Sequence, residues 1–123
     1  IQDMIIKYEL VDKVSLLGYR SDVPAILRQS DLSVLSSYGE GFGLAIIESL
    51  AVGTICLGSH VSGIKDILDS EYLFELGDSK TLAEKIMKYC NLDLSEKCKN
   101  MVKEYDVNKM VQLYKKVYNN AIQ

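Results

Sequence analysis

Two glutamates and a run of glycines are the residues of this chain whose types and spacing could do chemistry. Glu40 lies among three glycines in the stretch 36–43 (Ser-Ser-Tyr-Gly-Glu-Gly-Phe-Gly), and Glu48 follows eight residues later. Carboxylates accept hydrogen bonds from paired hydroxyls, and glycines let a backbone approach a ligand closely. The stretch therefore predicts a cradle for a polar or anionic ligand. It lacks the lysine of a phosphate-binding P-loop and the spacing of a dinucleotide fingerprint.

The segments around this stretch alternate short apolar runs with helical periodicity. The predicted strands are Val14–Leu17, Leu32–Leu35, Thr54–Leu57 and Tyr72–Phe74, and the predicted helices are Asp22–Gln29, Gly43–Val52 and Ser62–Leu68. This alternation predicts an α/β fold with a parallel sheet and helices on both of its faces. The glycine stretch directly follows the second strand, where open parallel sheets bind their ligands. The helix after it offers free N–H groups and a positive dipole end.

Glu48 is the one ionisable residue in an otherwise apolar helix. Its apolar neighbours are Leu44, Ala45, Ile46, Ile47, Leu50 and Ala51. This composition predicts a buried helix, in which an ionised carboxylate needs a partner. That partner is either structural (Arg20, Arg28 or a backbone N–H) or a pair of ligand hydroxyls, and the residues alone favour neither. Glu40 taken alone is typical of a solvated loop, whereas the two glutamates with Gly-Phe-Gly between them are far more specific.

Residues beyond Gly77 are predicted to be entirely helical. Asp78 is expected to cap a helix, and a charged helix is expected to run to Glu104 after a break at 91–95. The apolar stripe of the first helix is Leu82, Ala83, Ile86, Met87 and Cys90. The last helix has the clearest period, at Val107, Met110, Val111, Tyr114, Val117, Tyr118 and Ile122. We expect this last stripe to belong to the core rather than to a ligand surface.

Composition and charge narrow the function classes. The 123 residues suit one domain, and the net charge of −3 argues against nucleic acid as the main partner. Residues 1–79 carry a net charge of −7 and residues 80–123 a net charge of +4. The lysines of the second part are dispersed among acids, which favours solvated helix faces over a surface for anionic lipid.

The cysteines and the single histidine argue against disulfide-bonded proteins, metal sites and a Ser–His–Asp triad. The three cysteines, Cys56, Cys90 and Cys98, have no metal-ligand spacing and indicate a reducing, cytoplasmic setting without disulfides. Cys56 lies in an apolar run and is expected to be a small core residue. Because His60 is the only histidine, a histidine-based metal site or a Ser–His–Asp triad has little support.

The glycine stretch and the helix after it resemble family 4 (group 1) retaining glycosyltransferases, which have the GT-B fold. The matching residues are Ser37, Glu40, Gly41, Phe42, Gly43, Glu48, Ala51 and Gly53. The segments 17–24, 30–32 and 61–64 are also similar to the family. Ser36 and Ile55 stand where the family often has proline, and Asp66 replaces its usual glutamate.

The resemblance implies a domain assignment. Residues 1–123 would be a partial, Rossmann-like nucleotide-sugar-binding domain, the C-terminal part of a GT-B enzyme, with βα units in 1–77 and a helical C-terminal extension in 78–123. The family's basic phosphate-binding pair and its acceptor-binding domain would precede Ile1. We therefore expect the isolated chain to bind donor weakly at best and not to turn over.

The resemblance also implies roles for individual residues. Glu40 would be catalytic, near the 3-hydroxyl and the reacting face of the donor sugar, and Glu48 would accept hydrogen bonds from the ribose hydroxyls. The implied donor-binding residues are Gly18, Tyr19, Arg20, Gly41, Phe42, Gly43, Leu44 and Glu48. The reaction would transfer a sugar from a nucleotide-diphosphate sugar to an acceptor hydroxyl with retention and without a metal.

The implied setting is bacterial polysaccharide or glycoconjugate biosynthesis in the cytoplasm. The acceptor would be a glycan, lipid or protein bound by the missing domain, and peripheral membrane association of the full-length protein is compatible with this. Two alternatives remain open: another GT-B enzyme, such as a sugar-nucleotide epimerase or a phosphorylase-like enzyme, and a non-catalytic α/β ligand-binding module in which Glu48 is an ion-paired core residue.

Overall fold

A small parallel sheet lies at the centre of the molecule. The computed structural model describes residues 1–121 and contains strands β1 (Ser33–Leu35), β2 (Cys56–Ser59) and β3 (Leu73–Phe74) in the order β1-β2-β3. Both pairings are parallel, with Leu35 opposite Gly58 and Ser59 opposite Phe74. The middle strand β2 is buried along its whole length, as expected when helices cover both faces of a sheet.

Helices flank the sheet and form the whole C-terminal part. They are α1 (Gln2–Lys7), α2 (Val23–Arg28), α3 (Leu44–Ala51), α4 (Ser79–Tyr89), α5 (Ser95–Val102) and α6 (Val107–Ala121), with 3-10 turns at Ser70–Tyr72 and Lys103–Tyr105. Helix α3 packs on α2 and α5, and α4 packs on β2. The Asp78 side chain accepts a hydrogen bond from the Thr81 N–H at 2.9 Å and caps α4 as predicted. The predicted α/β fold is confirmed.

The core is formed by β2, one side of α3 and the segments after β2. Its members include Ile46, Leu50, Leu57, Ile64 and Tyr72, each at most 1% exposed. Cys56 is buried among them, as predicted. Apolar side chains from both halves of the chain therefore share one core.

A buried chain of hydroxyls ties α3 to the sheet. The Ser49 hydroxyl, fully buried, donates to the Thr54 carbonyl at 2.8 Å and lies 2.8 Å from the Ser33 hydroxyl of β1. The Thr54 hydroxyl donates in turn to the Leu27 carbonyl at the end of α2, at 2.7 Å. These bonds fix the position of α3 over β1.

Replacing Ser49 with alanine is expected to destabilise the chain by about 1–3 kcal/mol, because the Thr54 carbonyl loses its buried donor. Urea unfolding followed by circular dichroism measures this change. Ser70→Ala, at an exposed serine, is the control and is expected to stay within about 0.5 kcal/mol of the wild type. Equal stabilities of the two variants would contradict the assigned role of the network.

Two strand predictions were wrong: one predicted strand is not a strand, and another has different bounds. Residues 14–17 are exposed and pair with none of the described strands, and a strand exists only through hydrogen bonds to a neighbour. Strand β2 begins two residues later than predicted and contains Gly58 instead of ending before it. A Cβ at Gly58 would lie 2.4 Å from Ile64 Cγ2, so this glycine allows close packing rather than a turn.

The predicted helix Ser62–Leu68 was also wrong, because these residues form consecutive turns. The N–H groups of Ile64 and Leu68 do bond three and four residues back, to Val61 and Ile64. Gly63 has a φ of +84°, which breaks the helical path at its start.

The apolar stripe of α6, which was expected to belong to the core, is exposed in the described residues. In α6 none of residues 107–121 is buried, and Val107, Val117 and Tyr118 are 60–66% exposed; Ile122 lies outside the described residues. In α4 Leu82 and Ile86 of the predicted stripe are partly buried and pack against the core, whereas Met87 is 75% exposed. The buried residue of α4 is Tyr89, which the predicted stripe omitted. None of the helices described in residues 1–121 is long and apolar enough to cross a bilayer.

Candidate functional site

The loop 36–43 joins the carboxyl end of β1 to the start of α3. Its last residue, Gly43, precedes α3 with a φ of +76°, in the left-handed region. A Cβ at Gly43 would also lie 3.1 Å from Ile46 Cδ1. Glycine is therefore required here by both conformation and space.

Free N–H groups line the start of α3. Among residues 1–121 the N–H groups of Phe42, Gly43 and Leu44 donate no hydrogen bond, whereas that of Ile46 bonds to the Gly43 carbonyl at 2.9 Å. Such groups at a helix N-terminus, together with the positive end of the helix dipole, favour an anion or an oxygen-rich ligand. The free N–H groups that the predicted cradle requires are therefore present, and ligand binding by them stays a prediction.

A buried serine of β2 is hydrogen-bonded to the backbone of the loop 36–43. The Ser59 hydroxyl, fully buried, donates to the Ser37 carbonyl at 2.6 Å. The Ser37 hydroxyl in turn makes a long hydrogen bond of 3.5 Å to Glu40 Oε2. The Glu40 side chain, which is half-buried, is thereby linked to the sheet through two serines.

Gly63 lies directly against the Glu40–Gly41 peptide. A Cβ at Gly63 would be 2.2 Å from the Glu40 carbonyl oxygen and 3.1 Å from the Gly41 carbonyl carbon, a separation that only glycine permits. The Gly63 N–H donates to Asp66 Oδ2 at 3.2 Å, which holds the 61–68 turn in place. Sequence reasoning did not assign Gly63 to the site, although the resemblance of segment 61–64 to the family was a signal.

Glu48 is exposed, so the prediction of a buried carboxylate in a buried helix was wrong. The buried side of α3 carries Ile46, Ser49 and Leu50, and at 100° per residue Glu48 lies on the opposite side. Leu44 shares this outer side and is 65% exposed. Within the described chain neither Arg20 nor Arg28 pairs with Glu48, so its oxygens face solvent.

Within residues 1–121, no hydrogen bond or ion pair joins the turn Gly18–Arg20 to the loop 36–43. Tyr19 is 98% exposed, and Gly18 adopts a φ of +62° in open space. The Arg20 guanidinium is engaged by Asp22 at 2.6 and 2.8 Å, and this hydrogen bonding lowers the pKa of the Asp22 carboxyl. Donor contacts of this turn stay a prediction.

Phe42 contacts a residue from far along the chain. Its ring, half exposed, meets the edge of the Tyr105 ring at a centroid distance of 5.7 Å and an interplanar angle of 70°. The Tyr105 hydroxyl donates to the Asp66 carbonyl at 3.1 Å. Sequence reasoning missed Tyr105, since no spacing pattern connects it to the loop.

Other polar groups stand near the same edge of the sheet. His60 Nδ1 lies 2.6 Å from Glu75 Oε1, which joins the residues that follow β2 and β3. In the part of the chain that the structure describes, no three side chains of His, Cys, Asp or Glu lie close enough to hold a metal ion. Cys56, Cys90 and Cys98 are all free thiols.

Comparison with known proteins gives consistent results. The family described as glycosyl transferases group 1 matches residues 1–108. An Escherichia coli UDP-Gal:alpha-D-GlcNAc-diphosphoundecaprenol alpha-1,3-galactosyltransferase is 34% identical over 98% of this chain and 32% of its own length. The N-acetyl-alpha-D-glucosaminyl L-malate synthase of Bacillus anthracis is 29% identical over 99% of this chain and 34% of its own.

Solved structures share the fold. Anabaena Alr3699/HepE, crystallised with UDP and glucose, superposes with a TM-score of 0.85 at 21% identity, over 97% of this chain and 35% of that one. The chain thus spans about a third of the length of the relatives that it matches. The match of the family over residues 1–108, together with the glycine loop at the carboxyl edge of the sheet, shows that this chain belongs to the group 1 glycosyltransferases.

Proposed function

We propose that this chain binds the nucleotide-diphosphate sugar of a retaining glycosyltransferase. The observation that carries the proposal is the set of free N–H groups of Phe42, Gly43 and Leu44 at the start of α3, with Glu40 in the same loop. In a group 1 glycosyltransferase chain, free N–H groups at a helix start are suited to bind the oxygens of a diphosphate or of sugar hydroxyls.

Each acidic side chain has a distinct role in the proposal. Glu48, exposed on the outer side of α3, accepts hydrogen bonds from the two ribose hydroxyls of the donor. Glu40 approaches the sugar ring and its reacting face. The free N–H groups stabilise the charge that develops on the diphosphate as it leaves.

The proposed reaction exchanges one bond at the anomeric carbon. The bond from this carbon to the diphosphate oxygen breaks, and a bond to the acceptor oxygen forms on the same face. The acceptor hydroxyl gives its proton to the leaving phosphate. The proposal assigns stabilisation of the diphosphate to the helix end and to basic side chains, without a metal cofactor.

The proposed setting is bacterial polysaccharide or glycoconjugate biosynthesis in the cytoplasm. Two relatives support a lipid-linked acceptor, since the E. coli and Campylobacter jejuni enzymes are named for diphosphoundecaprenol and diphospho-undecaprenol substrates. Anabaena HepE, crystallised with UDP-glucose, supports a UDP-sugar as donor. We propose that acceptor binding requires protein beyond these 123 residues.

Isothermal titration of the chain with UDP-, GDP- and ADP-glucose tests the proposal. We expect one of them to bind with a Kd of about 1 mM, because the chain supplies only part of the contacts. A transferase assay on the same sample is expected to show no turnover. Absence of binding for all three donors would contradict the proposed site, and turnover by these residues alone would contradict the need for a further domain.

A further inference from the structure

Tyr105 contacts both segments that form the candidate site. It ends the 3-10 turn Lys103–Tyr105, immediately before the residue that leads into α6. Its ring packs edge-on against Phe42 in the glycine loop at 5.7 Å, and its hydroxyl donates to the Asp66 carbonyl at 3.1 Å. One side chain from the C-terminal part therefore bridges the loop after β1 and the turn after β2.

The contact with Asp66 extends to Glu40 through two further steps. The Asp66 carboxylate accepts the Gly63 N–H at 3.2 Å, and Gly63 lies against the Glu40–Gly41 peptide with no room for a Cβ. A shift of Asp66 would therefore be transmitted to the peptide that carries Glu40, because packed backbone atoms cannot interpenetrate.

The Tyr105 hydroxyl is suited to a permanent donor role. Burial, together with the charges of Asp66 and Glu104, raises the pKa of Tyr105 above its ordinary value. The phenol therefore keeps its proton at neutral pH, and the Asp66 carbonyl can only accept. The hydroxyl is thus available as a donor to the Asp66 carbonyl at neutral pH.

We propose that Tyr105 is a positioning residue for donor binding: its ring and hydroxyl hold Phe42 and the 61–68 turn so that the Glu40 loop keeps the geometry that the donor needs. The inference rests on the proposed function of the loop. It assigns to the C-terminal part of the chain a role in the site, beyond its contribution to the core.

Two variants and a matched control test this role. Tyr105→Phe removes the bond to Asp66 and keeps the ring, and Tyr105→Leu removes both. Tyr89→Phe is the control, because Tyr89 also donates its hydroxyl, to Glu71 at 3.1 Å, and packs on an aromatic ring, Tyr72, away from the loop. For each variant, nuclear magnetic resonance measures UDP affinity and the backbone order parameters of residues 41–44.

We expect UDP affinity to fall about threefold in Tyr105→Phe and about tenfold in Tyr105→Leu, from the usual strength of a hydrogen bond and an aromatic pair. Without ligand, the order parameters of residues 41–44 should fall in the same order. Tyr89→Phe should lose similar stability while its affinity and loop order parameters stay at wild-type values.

Two outcomes would overturn the positioning role of Tyr105, and a third would distinguish its failure from that of the proposed function. Wild-type affinity and wild-type loop order parameters in Tyr105→Leu would overturn the positioning role, as would equal effects of Tyr105→Phe and Tyr89→Phe on both readouts. If the wild type itself fails to bind UDP, the proposed function fails. Lower order parameters at 41–44 in the Tyr105 variants would then still show that Tyr105 positions the loop.

Discussion

Replacing Gly63 with alanine is expected to destabilise the chain by about 3 kcal/mol and to weaken UDP binding at least about tenfold. The φ of +84° costs an alanine roughly 1–2 kcal/mol. The new Cβ would meet the Glu40 carbonyl oxygen at 2.2 Å, so the backbone of the loop must also move, at a cost of about 1–3 kcal/mol. Urea unfolding and UDP titration measure the two effects.

Gly77→Ala provides the matched control for this variant. Gly77 has a similar φ of +80°, but a Cβ there would meet nothing within 4 Å. We expect Gly77→Ala to lose only about 1–2 kcal/mol and to keep the wild-type affinity for UDP. The difference between the variants isolates the contact of Gly63 with the loop. Equal stability losses, or wild-type UDP affinity in Gly63→Ala, would refute that contact as a support of the site.

Replacing Glu48 with glutamine is expected to weaken UDP binding at least about tenfold, since hydrogen bonds to a charged acceptor are stronger than those to a neutral one. Stability should change by less than about 0.5 kcal/mol, because Glu48 is exposed and pairs with no residue of the described chain. Titration with UDP and thermal unfolding of the same samples separate these effects.

Glu84→Gln is the control for Glu48, since Glu84 is an exposed glutamate on α4, away from the loop. It should change neither UDP affinity nor stability. A loss of about 1 kcal/mol or more in Glu48→Gln with unchanged UDP binding would support the alternative of a structural glutamate. The exposed position of Glu48 argues against an ion-paired core residue, and these two readouts test that alternative directly.

The sequence predicted most elements but not their boundaries or their burial. The start of α3 follows from Gly43 and the cap of α4 from Asp78, because capping depends on local residue types. Gly58 was taken for the end of a strand, although its role is to admit Ile64 at close range. That role depends on a side chain brought near by folding, which periodicity cannot reveal.

Burial was overestimated wherever apolar residues were counted without knowledge of their neighbours. Helix α3 has apolar residues all around, yet only its side with Ile46 and Leu50 meets the core, which leaves Leu44 and Glu48 outside. The stripe of α6 predicted the helix correctly but not its exposed surface. A hydrophobic period identifies the side of a helix that seeks burial, and it contains no information about what packs there.

The candidate site could be predicted in part from the sequence. The glycine loop, Glu40 and the start of α3 could be found from residue types, because the chemistry of a cradle lies in consecutive residues. Ser59, Gly63 and Tyr105, which support the loop, were not assigned to the site. Each acts through a contact between residues 22 or more positions apart, and one sequence without structure does not show such contacts.

Mapping UDP-glucose onto the ¹⁵N-labelled chain by nuclear magnetic resonance tests the central claim most directly. We predict saturable shifts that are largest for the amides of Gly41, Phe42, Gly43 and Leu44. A second groove of the molecule is lined by Arg28, Asp31, Asn91 and Asp93. Shifts confined to that groove, or an unchanged spectrum at millimolar ligand, would contradict the assignment of the loop after β1 as the donor site.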